Sequence, residues 1–208
     1  MKPVRPCLIW MDRRATEQEK WVKETIGEEK MRAITHNGID PYYGYLKILW
    51  VKDNEPENWA KTKLFLPPNA YTIYELTGAV TIDYSSAGNI GGIFDMNTKT
   101  WSYELMDEMG IPRSMMPERL VECTEVVGTL TAQAAAEMGL KEGTPVISGG
   151  VDCGAASLGL GVFEPGVYAA AIGTSMCAAL VHADTIKGQN LTEWPYVIEP
   201  KRLSYLFG

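Results

Sequence analysis

Apolar residues along the chain follow two patterns: helical spacing in polar surroundings, and short runs bounded by glycine or proline. Between residues 15 and 29, Trp21, Val22 and Ile26 sit at helical spacing among Glu, Lys and Gln, which predicts one amphipathic helix. Leu46, Leu49, Trp50 and Asp53 form a stripe that predicts a helix over 45–54. "NEPENW" breaks it and opens a further short helix. "PPNAYTIYELTG" couples a proline-marked start to a glycine stop. Residues 101–109 predict a helix ended by Gly110, and Met116-Pro117 a break. Residues 81–95, rich in Ser, Gly and Asn, predict a loop or short helix, and "HNGIDPYYG" is turn chemistry. "VVGTLTAQAAAEMGLKEGTPVISGG" reads as strand, helix, turn, strand, with Thr131 as cap and Gly139 as stop. Residues 154–160 read as helix. Residues 7–11 and 146–148 predict buried strands, and "YAAAIGTSMCAALV" a hairpin. Helices dominate up to about residue 125, and small-residue strands with glycine turns follow, which predicts a domain boundary there.

Helices and strands are both expected along the chain. Its 208 residues suffice for one large domain or two small ones. With 46% hydrophobic and 22% charged residues the composition is that of a globular protein. A net charge of −7 and a pI near 5.0 argue against nucleic acid or an anionic membrane as partner. They leave a phosphate ligand open, because backbone N–H groups and a metal ion can hold one. Cys7, Cys123, Cys153 and Cys177 form no Cys-x-x-Cys pair and no zinc pattern, so reduced thiols and a cytoplasmic location are expected. No apolar run reaches a signal-peptide core or the ~20 residues of a membrane span. "CLIWMD" and "LSYLFG" read as elements in mid-course, which predicts a piece of something longer.

In "VISGGVDCGAASLGLG" an aspartate, Asp152, stands where a strand hands over to a small-residue helix. It caps that helix, or it is a base at the floor of a cleft; the residues alone leave both open. Gly173-Thr174-Ser175 joins two apolar strands. Such a turn supplies hairpin freedom, or backbone N–H groups and a hydroxyl for a phosphoryl oxygen. Lys47 reads as a solvated helix residue and Trp50 as core. The methionines of "SMMPE" read as gap-filling core. His36 and His182 have no partner pattern and receive no role. Cys153 has no basic neighbour in sequence to lower its pKa. No metal ligand is assigned.

The order of short marks resembles the FGGY carbohydrate kinases. "LIWMDRRATEQ" is similar to the family's Trp-x-Asp-x-Arg segment. "DPYYGYLKILWVKDNEP" is similar to its first signature, although Gly44 stands where Pro, Ser or Thr is usual. "YELTG", "TIDYSSAGNIGGIFD", "WS", "VGTLTAQAAAEMGLKEGTPVISGGVD" and "AIGTS" follow in the family's order.

The resemblance implies an α/β, ribonuclease-H-like, actin-type ATPase fold, here in part. Residues 1–125 would belong to the N-terminal sugar-binding domain. Residues 126–208 would hold that domain's last segment and the start of the nucleotide-binding domain. It implies transfer of the ATP γ-phosphate, with Mg²⁺, to a hydroxyl of a ketopentose such as xylulose or a related polyol. Asp152 falls on the catalytic base, which also touches the substrate. Gly173, Thr174 and Ser175 fall on a phosphate turn, and Tyr42 on a polyol contact. Asp12 lies in a segment that runs near the sugar cleft. The family's first phosphate loop and its adenine-binding glycines have no counterpart among these residues, so the expectation for the isolated chain is inactivity. A small-molecule sugar is the expected partner, with homo-oligomerisation left open. The alternative is a non-catalytic sugar-binding or interaction remnant of such a kinase.

Overall fold

A computed structural model describes residues 1–208 except 174, 175, 185 and 187–190. The first half is a helical layer: α1 (Thr16–Thr25), α2 (Glu28–Thr35), α3 (Gly44–Asn54), α4 (Pro56–Lys61) and α5 (Pro68–Thr77). The single helix expected over 15–29 is two, because Gly27 sits at φ +88 and breaks the run. Pro68 opens α5 and Gly78, in the left-handed region at φ +76, closes it as expected. The strand expected at 7–11 does not form: no strand pairs with it among the described residues, and Ile9, Trp10 and Met11 are exposed.

Residues 81–95 hold more order than their composition suggests. They form β1 (Ile82–Asp83), α6 (Tyr84–Ile90) and β2 (Phe94–Asp95). Asp83 caps α6 by accepting the Ser86 N–H at 2.9 Å. Trp101 belongs to β3 (Thr100–Trp101), paired with β2, and the helix begins later as α7 (Tyr103–Met109) with Ser102 as its cap. Then come β4 (Leu120–Val121), parallel to β1, and the antiparallel pair β5 (Val126–Thr129) and β6 (Pro145–Ile147) around α8 (Ala132–Met138). Thr131 caps α8 and Gly139 stops it, as expected. The run at 146–148 is a strand but not a buried one: Ile147 is exposed, because β6 pairs only with β5 among the described strands.

Helix α9 (Asp152–Gly159) leads to a sheet of order β7-β8-β10-β9, formed by β7 (Tyr168–Ile172), β8 (Met176–His182), β9 (Thr192–Pro195) and β10 (Ser204–Phe207). The predicted β7–β8 hairpin is present and antiparallel. One core gathers Tyr45, Leu46, Phe94, Leu105 and Met106; Met116 of "SMMPE" joins it. A second gathers Trp194, Tyr196, Tyr205 and Leu203. Helix α6 packs on β9 so closely that a Cβ at Gly88 would lie 2.3 Å from Pro195. No described helix is long and apolar enough to cross a membrane.

Candidate active site

The Asp-Pro-Tyr loop is built by its own chemistry. Asp40 Oδ1 accepts the Tyr42 N–H at 2.7 Å, closing an Asx turn. Lys47, one helical turn into α3, points back and donates to the carbonyls of Pro41 and Tyr42, each at 2.7 Å. It is therefore a buried clamp and not a solvated residue, and burial lowers its pKa. A Cβ at Gly44 would meet Ile90 at 3.5 Å, an ordinary contact, so nothing steric demands glycine there.

The Tyr42 ring meets Trp10 and Tyr43 edge-on, at 6.5 and 5.3 Å. Its hydroxyl donates to Asn89 Oδ1 at 3.3 Å. Asp12 reaches the same region indirectly. It pairs with Arg14 at 2.8 Å, which holds its carboxyl below the usual range, and its charge acts on Lys47. The Arg14 guanidinium lies 4.8 Å from the centre of the partly buried Trp50 ring.

Asp152 stands on the other side of a narrow anchor. Gly149, at φ +67, donates its N–H to the Cys123 carbonyl at 2.9 Å. A Cβ on Gly150 would lie 2.6 Å from Cys123 Sγ and 2.9 Å from Ser85 Oγ, so only glycine fits the close approach. The Val151 N–H donates to Ser85 Oγ at 3.0 Å. Asp152 is then the first residue of α9, with Val151 in the cap position. Its side chain is exposed, and its Oδ1 accepts the Cys153 N–H at 2.8 Å. The carboxyl thus serves one free donor of the first turn and still faces solvent. Burial, with Asp152 beside it, pushes the Cys153 thiol up to about 12, which removes it as a nucleophile.

Tyr42 and the turn before Asp152, about 110 positions apart in sequence, are tied to the same helix: Asn89 of α6 accepts from the Tyr42 hydroxyl at 3.3 Å and Ser85 of α6 accepts the Val151 N–H at 3.0 Å. The Tyr42 hydroxyl is raised chiefly by burial, and the Asp152 charge adds to the rise. An open cavity of about 340 Å³ beside Tyr42 is lined by Arg13, Arg32, Asp40, Tyr43 and Thr192, and it does not include Asp152. Gly173 lies in an exposed bend after β7, while Thr174 and Ser175 lie outside the described residues. Among the described residues no three His, Cys, Asp or Glu side chains are placed to cage a metal ion. Magnesium at a nucleotide needs no such cage, since one or two carboxylates and the phosphates hold it.

The description "FGGY family of carbohydrate kinases, N-terminal domain" matches residues 1–159. The chain belongs to the FGGY family of carbohydrate kinases. It is 34% identical over 175 residues to a xylulose kinase of Lactococcus lactis, covering 84% of this chain and 34% of that protein. An L-fuculokinase of Escherichia coli is 32% identical over 156 residues, covering 75% of this chain and 33% of that protein. The crystal structure of a xyloylose kinase from Brucella ovis superposes with a TM-score of 0.87 at 28% identity, over 99% of this chain and 41% of that one. The fold is therefore the ribonuclease-H-like, actin-type fold of these kinases, in part. The chain spans about a third of the length of the curated relatives it matches.

Within this FGGY chain one cluster escaped the sequence reading. Both histidines converge on Glu193, itself buried: His36 Nδ1 lies 3.2 Å and His182 Nε2 3.6 Å from its Oε1. Asn37 and Glu193 exchange two hydrogen bonds, at 2.7 and 2.8 Å. His36 and Glu193 are 157 positions apart. Periodicity carries no signal for a pair so distant. The left-handed φ of +58 at His36 follows from the turn after α2, which "HNG" does announce.

Proposed function

We propose that this chain is the part of an FGGY kinase that carries its general base, and that the whole enzyme transfers the ATP γ-phosphate to a hydroxyl of a ketopentose such as xylulose. The observation that carries the reading is Asp152: an exposed carboxyl on a turn anchored at three successive residues and tied through α6 to the Tyr42 hydroxyl. Asp152 takes the proton of the attacking hydroxyl, and the anchored turn holds the carboxyl in reach of it. Tyr42 presents its ring and hydroxyl to the polyol, with Lys47 fixing its backbone. Asp12 tunes this loop through its field on Lys47.

Bound MgATP would supply the transferable phosphoryl group and the charge neutralisation it needs. Gly173, Thr174 and Ser175 would face its phosphates. Residues 1–125 would belong to the sugar-binding domain, and 126–208 would pass from its last segment into the nucleotide-binding domain. Free cysteines agree with a cytoplasmic enzyme.

The relatives' printed names differ in sugar, and xylulose is favoured because the higher-identity relative is a xylulose kinase. The test is ATP-dependent ADP release by the kinase carrying this chain, with D-xylulose, L-fuculose, D-gluconate and glycerol. The highest kcat/KM is expected with D-xylulose. No phosphorylation of any polyol contradicts the kinase reading, and a different best sugar contradicts the choice of xylulose.

A further inference from the structure

Ser85 and Asn89 are four residues apart on α6, hence one turn apart on one face and about 6 Å along the axis. One end of that face touches the turn before Asp152, and the other touches Tyr42. Ser85 is fully buried. Its hydroxyl donates to Asp83 Oδ1, and its oxygen accepts the Val151 N–H at 3.0 Å. Asp83 is itself fixed, accepting from Asn69 Nδ2 at 2.8 Å and from the Ser86 N–H at 2.9 Å. With its proton committed to a fixed carboxyl, the hydroxyl cannot rotate, and its lone pair stays aimed at Val151. At the other end Asn89 Oδ1 accepts from the Tyr42 hydroxyl at 3.3 Å. The helix cannot slide between them, because Gly88 is pressed onto Trp194 and Pro195.

We propose that α6 is the spacer that sets the distance between the Tyr42 hydroxyl and the Asp152 carboxyl, with Ser85 positioning Asp152 through Val151 and Asn89 positioning Tyr42. The inference rests on the reading of Asp152 as the base. Ser85 acts on the reaction only through the turn. Its loss therefore lowers kcat and leaves sugar binding in place. Asn89 acts on Tyr42, and on the reading of Tyr42 as a ground-state sugar contact its loss raises KM.

The experiment compares Ser85→Ala, Asn89→Ala and Asp152→Asn in the kinase carrying this chain, and reads the Val151 amide by hydrogen exchange in the 208-residue chain. Ser85→Ala is expected to lower kcat by about tenfold or more, since misplacement of about 1 Å costs up to ~10². Its sugar KM is expected to stay within about twofold, and Val151 exchange to quicken about fivefold, the size of one net hydrogen bond. Asn89→Ala is expected to raise the sugar KM about fivefold with kcat nearly kept, again the size of one hydrogen bond. Wild-type kcat in Ser85→Ala, beside a large loss in Asp152→Asn, overturns the proposal alone. Unchanged Val151 exchange overturns it as well. Should Ser85→Ala fail to fold, the partly exposed Asn89 decides: an unchanged sugar KM in Asn89→Ala overturns the spacer. Wild-type kcat in Asp152→Asn removes the base reading and the proposal with it, a pattern distinct from the others.

Discussion

His36 makes two ring-nitrogen contacts, and a neutral imidazole can donate at only one of them. Asn97 Nδ2 donates to the Ala33 and Ile34 carbonyls and to Asp95, so its Oδ1 faces His36 Nε2, which must donate at 3.1 Å. The Nδ1 then faces Glu193 Oε1 at 3.2 Å and needs a second proton to bond it. The Glu193 bond accordingly raises the His36 pKa, against burial. An unfolded histidine titrates near ~6.5, so the charged link stabilises fully below that value and is lost as pH rises through the raised folded one. Lys99, whose Nζ donates to Ser204 Oγ at 3.0 Å, works in the opposite sense. Burial brings it from 10.5 down to about 8, so between those values the unfolded chain holds the extra proton and stability rises with pH. Denaturant melts across pH should show His36→Asn, which tolerates the left-handed backbone, costing most below about pH 6.5 and little above the folded pKa. Lys99→Met should gain stability below about 8 and lose that advantage toward 10.5. A pH-independent cost for His36→Asn would show that the link is not charged.

Helix α6 owes its place to a missing side chain. A Cβ on Gly88 would stand 2.3 Å from Pro195 Cδ and 2.9 Å from Trp194 Cβ. Gly88→Ala should therefore destabilise the chain by about 1–3 kcal/mol, the usual cost of overpacking. Gly159→Ala, in α9 with nothing within 4 Å, should be neutral or stabilising by up to about 1 kcal/mol. Equal destabilisation of both in urea melts would contradict this packing. Such close approaches are where the sequence was least legible. Boundaries written in local chemistry were readable: Pro68 and Gly78 around α5, Thr131 and Gly139 around α8. The break at Gly27 was not, because the apolar stripe runs through it and only the backbone twist ends the helix. The run at 7–11 looked like a strand because it is apolar, yet strands need a neighbour and none pairs with it among the described residues. The candidate site was marked in the sequence only by motifs, with Asp152 at the end of a strand and Tyr42 in the Asp-Pro-Tyr turn. What each touches was not, since the contacts span 47 to 66 positions.

Across the whole chain the two cores meet through α6, β9 and the Glu193 cluster, and among the described residues nothing pairs with the far edge of the four-stranded sheet. Strand β7 forms that edge, with Tyr168 and Ile172 exposed. An apolar, unpaired edge is a template for another chain. Light scattering should detect self-association that grows with concentration and is weakened by Tyr168→Lys with Ile172→Lys; a strict monomer at high concentration would contradict it. At Asp152 one substitution separates a general base from a helix-start residue. Asp152→Asn keeps the Oδ1 that accepts the Cys153 N–H at 2.8 Å, so the helix start is retained in either case. It removes the proton acceptor. In the kinase carrying this chain, kcat should fall by ~10²–10⁴ while the unfolding midpoint and the sugar KM change little. A kcat close to wild type would contradict the account and leave Asp152 as part of the helix start alone.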